Sequence, residues 1–492
     1  MWGNRRVRVA ALGAALVGAA CVPAVEPNIQ LPATAGDPVV SAIAPATDGP
    51  LRMVGRDLID AQGRRVIIHG TNMVIKAAPW MPDETILSNQ DLTYLRTQGF
   101  NAVRLGVWYD ELLPEVGVID IAYLDRVEAV VDRLTEAGLW VLLDFHQDVF
   151  WGMPEWATTP TAAALSDEHP EFLNFIGWAA AYTSPRSLQQ WRDVMLDAPA
   201  AGGSGRSIWD ALSDGAAAMA ERFATNDQVI GVELMNEPFP GEWYLECILQ
   251  GCGWLENLLA DHSEAMTARI RAVAPGMNVW WEPLVSAPGF GPTFMRAPAD
   301  SNVGFSWHTY CNATDGGTVA EASEFDVLRC RGLIDNAFVR AEGRAADWNR
   351  PMMMTEFGAS TNALDATLVA RAADRWLTSW FHWHHNFRAD GDLRSVYPSA
   401  VQSQLTRVYP QATAGKPLAL NFDPATGNAT YRYAPDSTAT GPTSLVVPGP
   451  HYPNGYEATI IGGTTTSAPN AGRLDVVADP GVAEVRITIT RG

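Results

Sequence analysis

Eight short, almost wholly apolar runs recur along the chain and limit its fold more than any other feature. They are Arg65–Gly70 (RVIIHG), Asn101–Val107 (NAVRLGV), Trp140–Asp148 (WVLLDFHQD), Val229–Glu237 (VIGVELMNE), Asn278–Pro283 (NVWWEP), Val303–Tyr310 (VGFSWHTY), Pro351–Gly358 (PMMMTEFG) and Trp380–His385 (WFHWHH). A strand with one wet face alternates apolar and polar residues; these runs do not, so both of their faces must be covered. Helical spacing fills the gaps between several of them. Ile121, Leu124, Val127, Val130, Val131 and Leu134 share one helix face, and Gly138 stands where a capping glycine belongs. GRSIWDALSDGAAAMAERFA and DATLVARAADRWLTSW repeat the pattern. Buried parallel strands in βα units predict an α/β fold, a (β/α)8 TIM barrel, with a doubly wound sheet as the alternative. No GxGxxG follows the first run, which counts against the dinucleotide-binding version of that sheet.

The texture changes near Val408. Pro, Gly, Thr and Asn then punctuate short alternating runs such as ATYRYA, YEATII and EVRITIT, and no helical period remains. The expected organisation is a catalytic barrel over 51–406 followed by a β-sandwich over 407–492. Upstream, Arg5, Arg6 and Arg8 precede an apolar Ala/Gly-rich stretch from Val9 to Ala20, the pattern of an export signal over 1–28, and a Pro/Ala/Thr-rich linker covers 29–50. The expectation is a secreted or cell-surface protein. Gly18-Ala19-Ala20 before Cys21 resembles a lipoprotein cleavage site and raises a lipid anchor at Cys21 as an option. Four further cysteines remain, an even number in an oxidising compartment. Pairing nearest neighbours gives Cys247–Cys252 and Cys311–Cys330; two other connectivities stay open, and no flanking His completes a zinc set.

The net charge is −21, and no Lys/Arg-rich tract follows the first few residues. A nucleic-acid partner therefore lacks its electrostatic footprint, and polyanionic substrates are disfavoured. The 18 Trp suit both a large core and stacking on sugars.

In a barrel, the C-terminal ends of the strands face the active site. Polar residues stand at those ends throughout: Arg104, His146 with Asp148, Asn236 with Glu237, Glu282, His308 with Tyr310, Glu356 and Trp383. One such carboxylate is commonly structural; several converging with an Arg, two His and a Tyr are not explained by packing. Two carboxylates across a cleft are what glycoside hydrolysis needs, one protonated for the leaving oxygen and one ionised for the anomeric carbon or a water. Arg104 supplies a permanent charge to keep one Glu ionised. His308 and Tyr310 are placed to orient the pair, and Asn236 to reach a sugar hydroxyl. Glu282 and Asp144 read as supports, Asp144 sharing a strand face with His146. The segment Glu155 to Asp197, with Trp156, Phe172, Phe175, Ile176, Trp178 and Trp191, serves equally as an acyl-chain wall or as a helical cover.

These residues resemble glycoside hydrolase family 5. LMNEPFPG is similar to its acid/base signature, MMTEFG to its nucleophile strand, and AVRLGV, DFHQD and SWHTY to its Arg, His and His/Tyr positions. The resemblance runs from about Leu51 to the C-terminus. It implies a retaining mechanism with Glu237 as acid/base and Glu356 as nucleophile, about 5–5.5 Å apart, and no metal or other cofactor. NMVIKAAPW, LLDFHQDVF and NEPFPG look most like the endoglycoceramidase and endogalactosylceramidase subfamily. That implies hydrolysis of the bond between oligosaccharide and ceramide in a glycosphingolipid presented on a membrane or micelle, with Lys76 and Asp148 holding sugar. No obligate protein partner is implied. The rivals are an endoglucanase or mannanase of the same family and, in another class, a non-catalytic glycan- or lipid-binding protein.

Overall fold

The computed structural model describes residues 43, 45, 49–82, 87–171, 180–287, 289, 291–310, 324–358, 362–384 and 399–492. The expected export signal, most of the linker, Cys21, Cys311, Phe172, Phe175, Ile176 and Trp178 lie outside them. Among the described residues no helix is long and apolar enough to cross a membrane.

Three short strands come first: β1 (Arg52–Val54), β2 (Asp57–Ile59) and β3 (Arg65–Val66). Then follow β4 (His69–Met73), β5 (Ala102–Trp108), β6 (Trp140–His146), β7 (Val229–Glu233), β8 (Val279–Trp281), β9 (Val303–Thr309), β10 (Met352–Phe357) and β11 (Ser379–His382). These last eight close into a parallel barrel in the order β10-β11-β4-β5-β6-β7-β8-β9. The (β/α)8 barrel expected from the eight apolar runs is therefore present.

One run divides. In Arg65–Gly70, Arg65 and Val66 form β3 and pair with the C-terminal module, while the barrel strand starts at His69. Apolar character shows that both segments are buried but not which sheet receives each. Ile121 also departs from its expected helix face: it is 55% exposed, whereas Tyr123, Leu124, Val127, Val130, Val131 and Leu134 are buried. That helix, Ile121–Glu136, starts at Asp120, whose carboxylate accepts the Tyr123 N–H at 2.9 Å, and it ends before Gly138 at φ +78°.

Inside the barrel the two-residue period of a strand sorts side chains into layers. The lower layer is apolar: Ala102, Leu142, Ile230, Trp280, Met353 and Phe381 pack with Leu51, Met53 and Leu58 from the N-terminal hairpin, which plugs the floor. Large rings fit because neighbouring strands carry glycine. A Cβ on Gly70 would lie 2.3 Å from Phe381, and one on Gly304 would lie 2.4 Å from Trp280. Two residues further along the chain stand Arg104 and Asp144, on β5 and β6, and Glu282 and Trp383, just past the ends of β8 and β11, so the polar layer begins one step above the floor.

The remaining strands are β12 (Tyr409–Thr413), β13 (Gly415–Asp423), β14 (Asn428–Pro435), β15 (Thr443–Val446), β16 (Tyr456–Ile461), β17 (Gly463–Thr465), β18 (Arg473–Ala478) and β19 (Val485–Arg491). They form a four-stranded sheet, β13-β14-β19-β16, and a seven-stranded sheet, β1-β2-β3-β12-β15-β18-β17, that recruits the three N-terminal strands. Alternation is clean in the smaller sheet: Ala429, Tyr431 and Tyr433 of β14 and Val485, Ile487 and Ile489 of β19 point into the sandwich core.

The module is fastened to the barrel. His69 of β4 stacks between Trp380 and Tyr409 at 4.3 and 3.7 Å, and the Tyr409 hydroxyl donates to the Gly99 carbonyl at 2.8 Å. Beneath them, buried Arg407 pairs with buried Asp374, its Nε donating to Oδ1 at 3.2 Å and its Nη2 pairing with Oδ2. Removing one member of such a pair strands the other charge in a dry site. Asp374→Ala should therefore destabilise the protein by about 3–5 kcal/mol, read as a lower midpoint in calorimetry or denaturant unfolding; a loss within ~0.5 kcal/mol would mean that water reaches Arg407.

Candidate active site

Arg104, two residues past the floor on β5, is the hub of the polar layer, and it is fully buried. Its Nε donates to Glu233 at 2.6 Å, and Nη1 to Asn72 at 2.9 Å and to Glu356 at 2.6 Å. Nη2 donates to Asn236 at 2.9 Å and pairs with Asp144 at 2.8 Å. Burial works against this cation, but the surrounding Asp144, Glu233, Glu356 and Glu282 carboxyls outweigh it and hold it charged. One guanidinium thus ties together β4, β5, β6, β7 and β10.

Glu356 is the last residue but one of β10, past a register shift between Met354 and Glu356. Its Oε1 takes the Arg104 bond and its Oε2 accepts the Tyr310 hydroxyl at 2.6 Å. Burial pushes its carboxyl above the ordinary range, while His308 and Arg104 oppose that rise. Glu237 follows β7 at φ +42°, in the left-handed region, and its Oε1 lies 2.9 Å from His308 Nδ1. Burial, reinforced by the Asp148 charge, pushes its carboxyl up to about 7. Burial holds His308 down at about 4, so that ring is neutral near neutrality and brings no charge to ionise Glu237. An oxygen of Glu237, an oxygen of Glu356 and a His308 nitrogen all lie within 4.8 Å of one another. The two carboxyls therefore bring oxygens close together, as the narrow carboxyl spacing of a retaining glycosidase requires.

A second cluster flanks the first. His146 Nδ1 lies 2.8 Å from Asp144 Oδ2, and its Nε2 lies 3.6 Å from Asp148. Burial opposes charge on this ring, but Asp144 and Asp148 prevail and raise it to about 9. Burial pushes the Asp148 carboxyl up, but its pairing with Lys76 and with His146 together outweighs burial and keeps it well below the usual range. Lys76 Nζ sits 4.7 Å over the Trp383 ring, and that ring stacks on His146 at 5.3 Å. Lys76, Arg104, His146, Asp148, Asn236, Glu237, His308, Tyr310, Glu356 and Trp383 therefore meet at one barrel mouth.

The supports are as specific as the pair. Glu282 Oε2 accepts the Glu237 backbone N–H at 2.8 Å, and Gln147 Nε2 donates to the carbonyls of Asn236 and Glu237 at 2.7 and 3.2 Å. Glu233 takes the Thr355 hydroxyl at 3.0 Å besides its Arg104 bond. Sequence reasoning passed over Glu233, Asn72, Gln147 and Thr355. Each is a polar residue inside or beside an apolar run, and that was the available signal.

Among the described residues two donor sets have the compactness of a cation site, Glu237–His308–Glu356 and Glu233–Glu282–His308. Both share His308, and Arg104 already donates to Glu233 and Glu356, so the protein itself supplies positive charge where a cation would. Cys247 and Cys252 are disulfide-bonded with Cα atoms 4.6 Å apart, and Cys330 is buried. In the aromatic segment, Trp156 and Trp191 are core side chains; Trp191 packs edge-on against Phe239 at 6.4 Å. These two cover the barrel and do not wall a groove.

Comparison with known proteins agrees with this geometry. Residues 59–388 match the Cellulase (glycosyl hydrolase family 5) model, and residues 407–490 match the glycoside hydrolase family 5 C-terminal domain. Endoglycoceramidase I of Rhodococcus hoagii (strain 103S) is 35% identical over 453 residues, 90% of this chain and 88% of that protein. Endoglycoceramidase of Cyanea nozakii is 26% identical over 82% of this chain and 86% of its own length. Among solved structures, endo-glycoceramidase II from Rhodococcus sp. in its ganglioside GM3 complex superposes with a TM-score of 0.74 at 24% identity, covering 89% of this chain and 100% of that one; this likeness concerns the fold. The chain is a member of glycoside hydrolase family 5, a hydrolase built as that family's barrel with its C-terminal domain.

Proposed function

We propose that this enzyme is a retaining endo-β-glycosidase that cuts between the oligosaccharide and the ceramide of glycosphingolipids. The observation that carries the mechanism is the asymmetric carboxyl pair within 4.8 Å. Glu356 receives two strong donors, Arg104 and Tyr310, which stabilise its anion; Glu237 faces a neutral His308 and keeps its proton. Glu356 attacks the anomeric carbon as the bond to the ceramide oxygen breaks, and the Glu237 proton passes to that oxygen. Water then attacks the glycosyl ester, Glu237 takes its proton, and Glu356 is released. Lys76 and Asp148 hold the sugar beyond the cleaved bond, Asn236 meets the 2-hydroxyl, and Trp383 offers a stacking face.

The catalytic layer suits many β-glycosides, so it does not choose the aglycone. The lipid reading rests on similarity to Endoglycoceramidase I of Rhodococcus hoagii along nearly the whole chain. The arginines and apolar stretch at the N-terminus, together with the Cys247–Cys252 disulfide, support action outside the cytoplasm.

Mass spectrometry of both phases after digestion of a glycosphingolipid should find one intact oligosaccharide and one intact ceramide, without stepwise loss of monosaccharides. No ceramide from a panel of glycolipids, alongside brisk release of oligomers from cellulose or mannan, would make the enzyme a polysaccharidase.

Glu356→Gln should abolish turnover in a folded protein, since an amide does not form the ester. Glu237→Gln should lose on the order of 10²–10⁴-fold on glycolipid and far less on aryl glycosides with good leaving groups. Because Glu237 works protonated and its carboxyl sits at about 7, kcat/KM for glycolipid should fall as pH rises through that value, and Glu237→Gln should lose this alkaline limb. Equal, mild losses in both variants would reject the assignment.

Hydrolysis should continue undiminished in excess chelator. Inactivation reversed by one added cation would instead make Glu237, His308 and Glu356 a metal site.

A further inference from the structure

Resting on the reading of Glu237 as acid/base, we propose that Glu282 is a positioning residue that holds the proton donor in place from behind through its backbone. Glu237 adopts φ +42°, a conformation that side-chain-bearing residues rarely take, so the surrounding structure must impose it. Two buried side chains grip this stretch from both sides. Glu282 Oε2 accepts the Glu237 N–H at 2.8 Å, and Gln147 Nε2 donates to the carbonyls of Asn236 and Glu237. Pro238 follows and has no N–H to satisfy. The other Glu282 oxygen lies 3.4 Å from His308 Nδ1, the same nitrogen that stands 2.9 Å from Glu237 Oε1. Glu282 therefore fixes both ends of the donor: its backbone directly, and its carboxyl through the shared histidine.

The surroundings of this carboxyl favour its neutral form. The groups facing it are Glu233 and Glu237 from β7 and the segment after it, His308 from β9, Arg104 from β5 and, across His308, Glu356 from β10. Burial, Glu233 and Glu237 push the Glu282 carboxyl well above its ordinary range, with Arg104 opposing. A neutral acid still offers a carbonyl-type oxygen to the Glu237 N–H, and it adds no second negative charge beside the donor.

The role separates from ordinary structural support by its dependence on the leaving group. Glu282→Met keeps the volume and removes the acceptor. It should cut glycolipid hydrolysis by about 10–100-fold while costing no more than about threefold on an activated aryl glycoside, which needs little proton donation. Glu282→Gln keeps an uncharged oxygen in place and should restore the glycolipid rate to within about threefold of the parent. Equal losses on both substrates in Glu282→Met would overturn the proposal in favour of plain structural support. A Glu282→Gln enzyme as inactive on glycolipid as Glu237→Gln would overturn it too, since the Glu282 proton would then itself be needed. Should Glu282→Met not fold, the Gln variant and Glu282→Ser carry the same comparison. If Glu237→Gln shows no leaving-group dependence, it is the acid/base reading that fails.

Discussion

The buried guanidinium of Arg104 is the constraint on which the rest of this site depends. A cation with no access to water is tolerable only if its donors are filled, and Arg104 fills them with Asn72, Asp144, Glu233, Asn236 and Glu356. Those partners come from four other barrel strands, β4, β6, β7 and β10, with Asn236 just past β7, so the ion cluster forms only when the barrel closes. Its planar fork also fixes directions: Glu356 and Asn236 are held at angles that a flexible ammonium does not impose. The dependence runs both ways, because Glu233 and Glu356 would lose their cation without it and Asp144 would be left with His146 alone.

The fold limits the cost of such a cluster by placing it directly on a dry floor. Leu142, Trp280 and Phe381 are each two residues below Asp144, Glu282 and Trp383, so one strand turn separates a jigsaw of rings from a network of charges. The floor is closed by the N-terminal hairpin and the C-terminal module, which share a sheet through β3 and β12. Water is therefore kept from the polar layer from below, and the shifts on Glu237, His146 and His308 follow from that exclusion as well as from their neighbours. The module thus bears on the chemistry without contributing a side chain to it.

What could be read from the sequence divides along the same physical line. The eight apolar runs were legible because a strand covered on both faces leaves a local signature, and a polar residue ending such a run stands out. His146, Glu237, His308 and Glu356 were visible on that ground; Arg104, which lies inside its run and not at its end, was visible as a permanent cation among apolar residues. Glu233 and Thr355 were not, because each sits within its run and acquires meaning only from a partner over a hundred positions away, as in the Thr355–Glu233 bond. Arg65–Val66 went to the other sheet for a similar reason: burial is a local property, and strand partnership is not. Ile121 shows the reverse error, an apolar residue in phase with a helix face yet too near the N-terminus of Ile121–Glu136 to be covered.

Proton placement between the two glutamates finally turns on asymmetry of donors rather than on burial, because both are buried. If burial alone acted, both carboxyls would rise together and neither would be fit to attack. Glu356 is pushed up as well, but a permanent cation and a phenol each give it a short bond, at 2.6 Å in both cases, and work in favour of its anion. Glu237 receives at its side chain only a histidine whose own charge burial has removed. A cationic His308 would favour the anion on Glu237 and weaken it as an acid. The ring does not become cationic at neutral pH chiefly because burial penalises its charge, and Arg104 adds to that against the opposing pull of Glu356. Arg104 thus acts on Glu356, keeping it ready to ionise, while burial of Glu237 and of the neutral His308 beside it leaves Glu237 its proton.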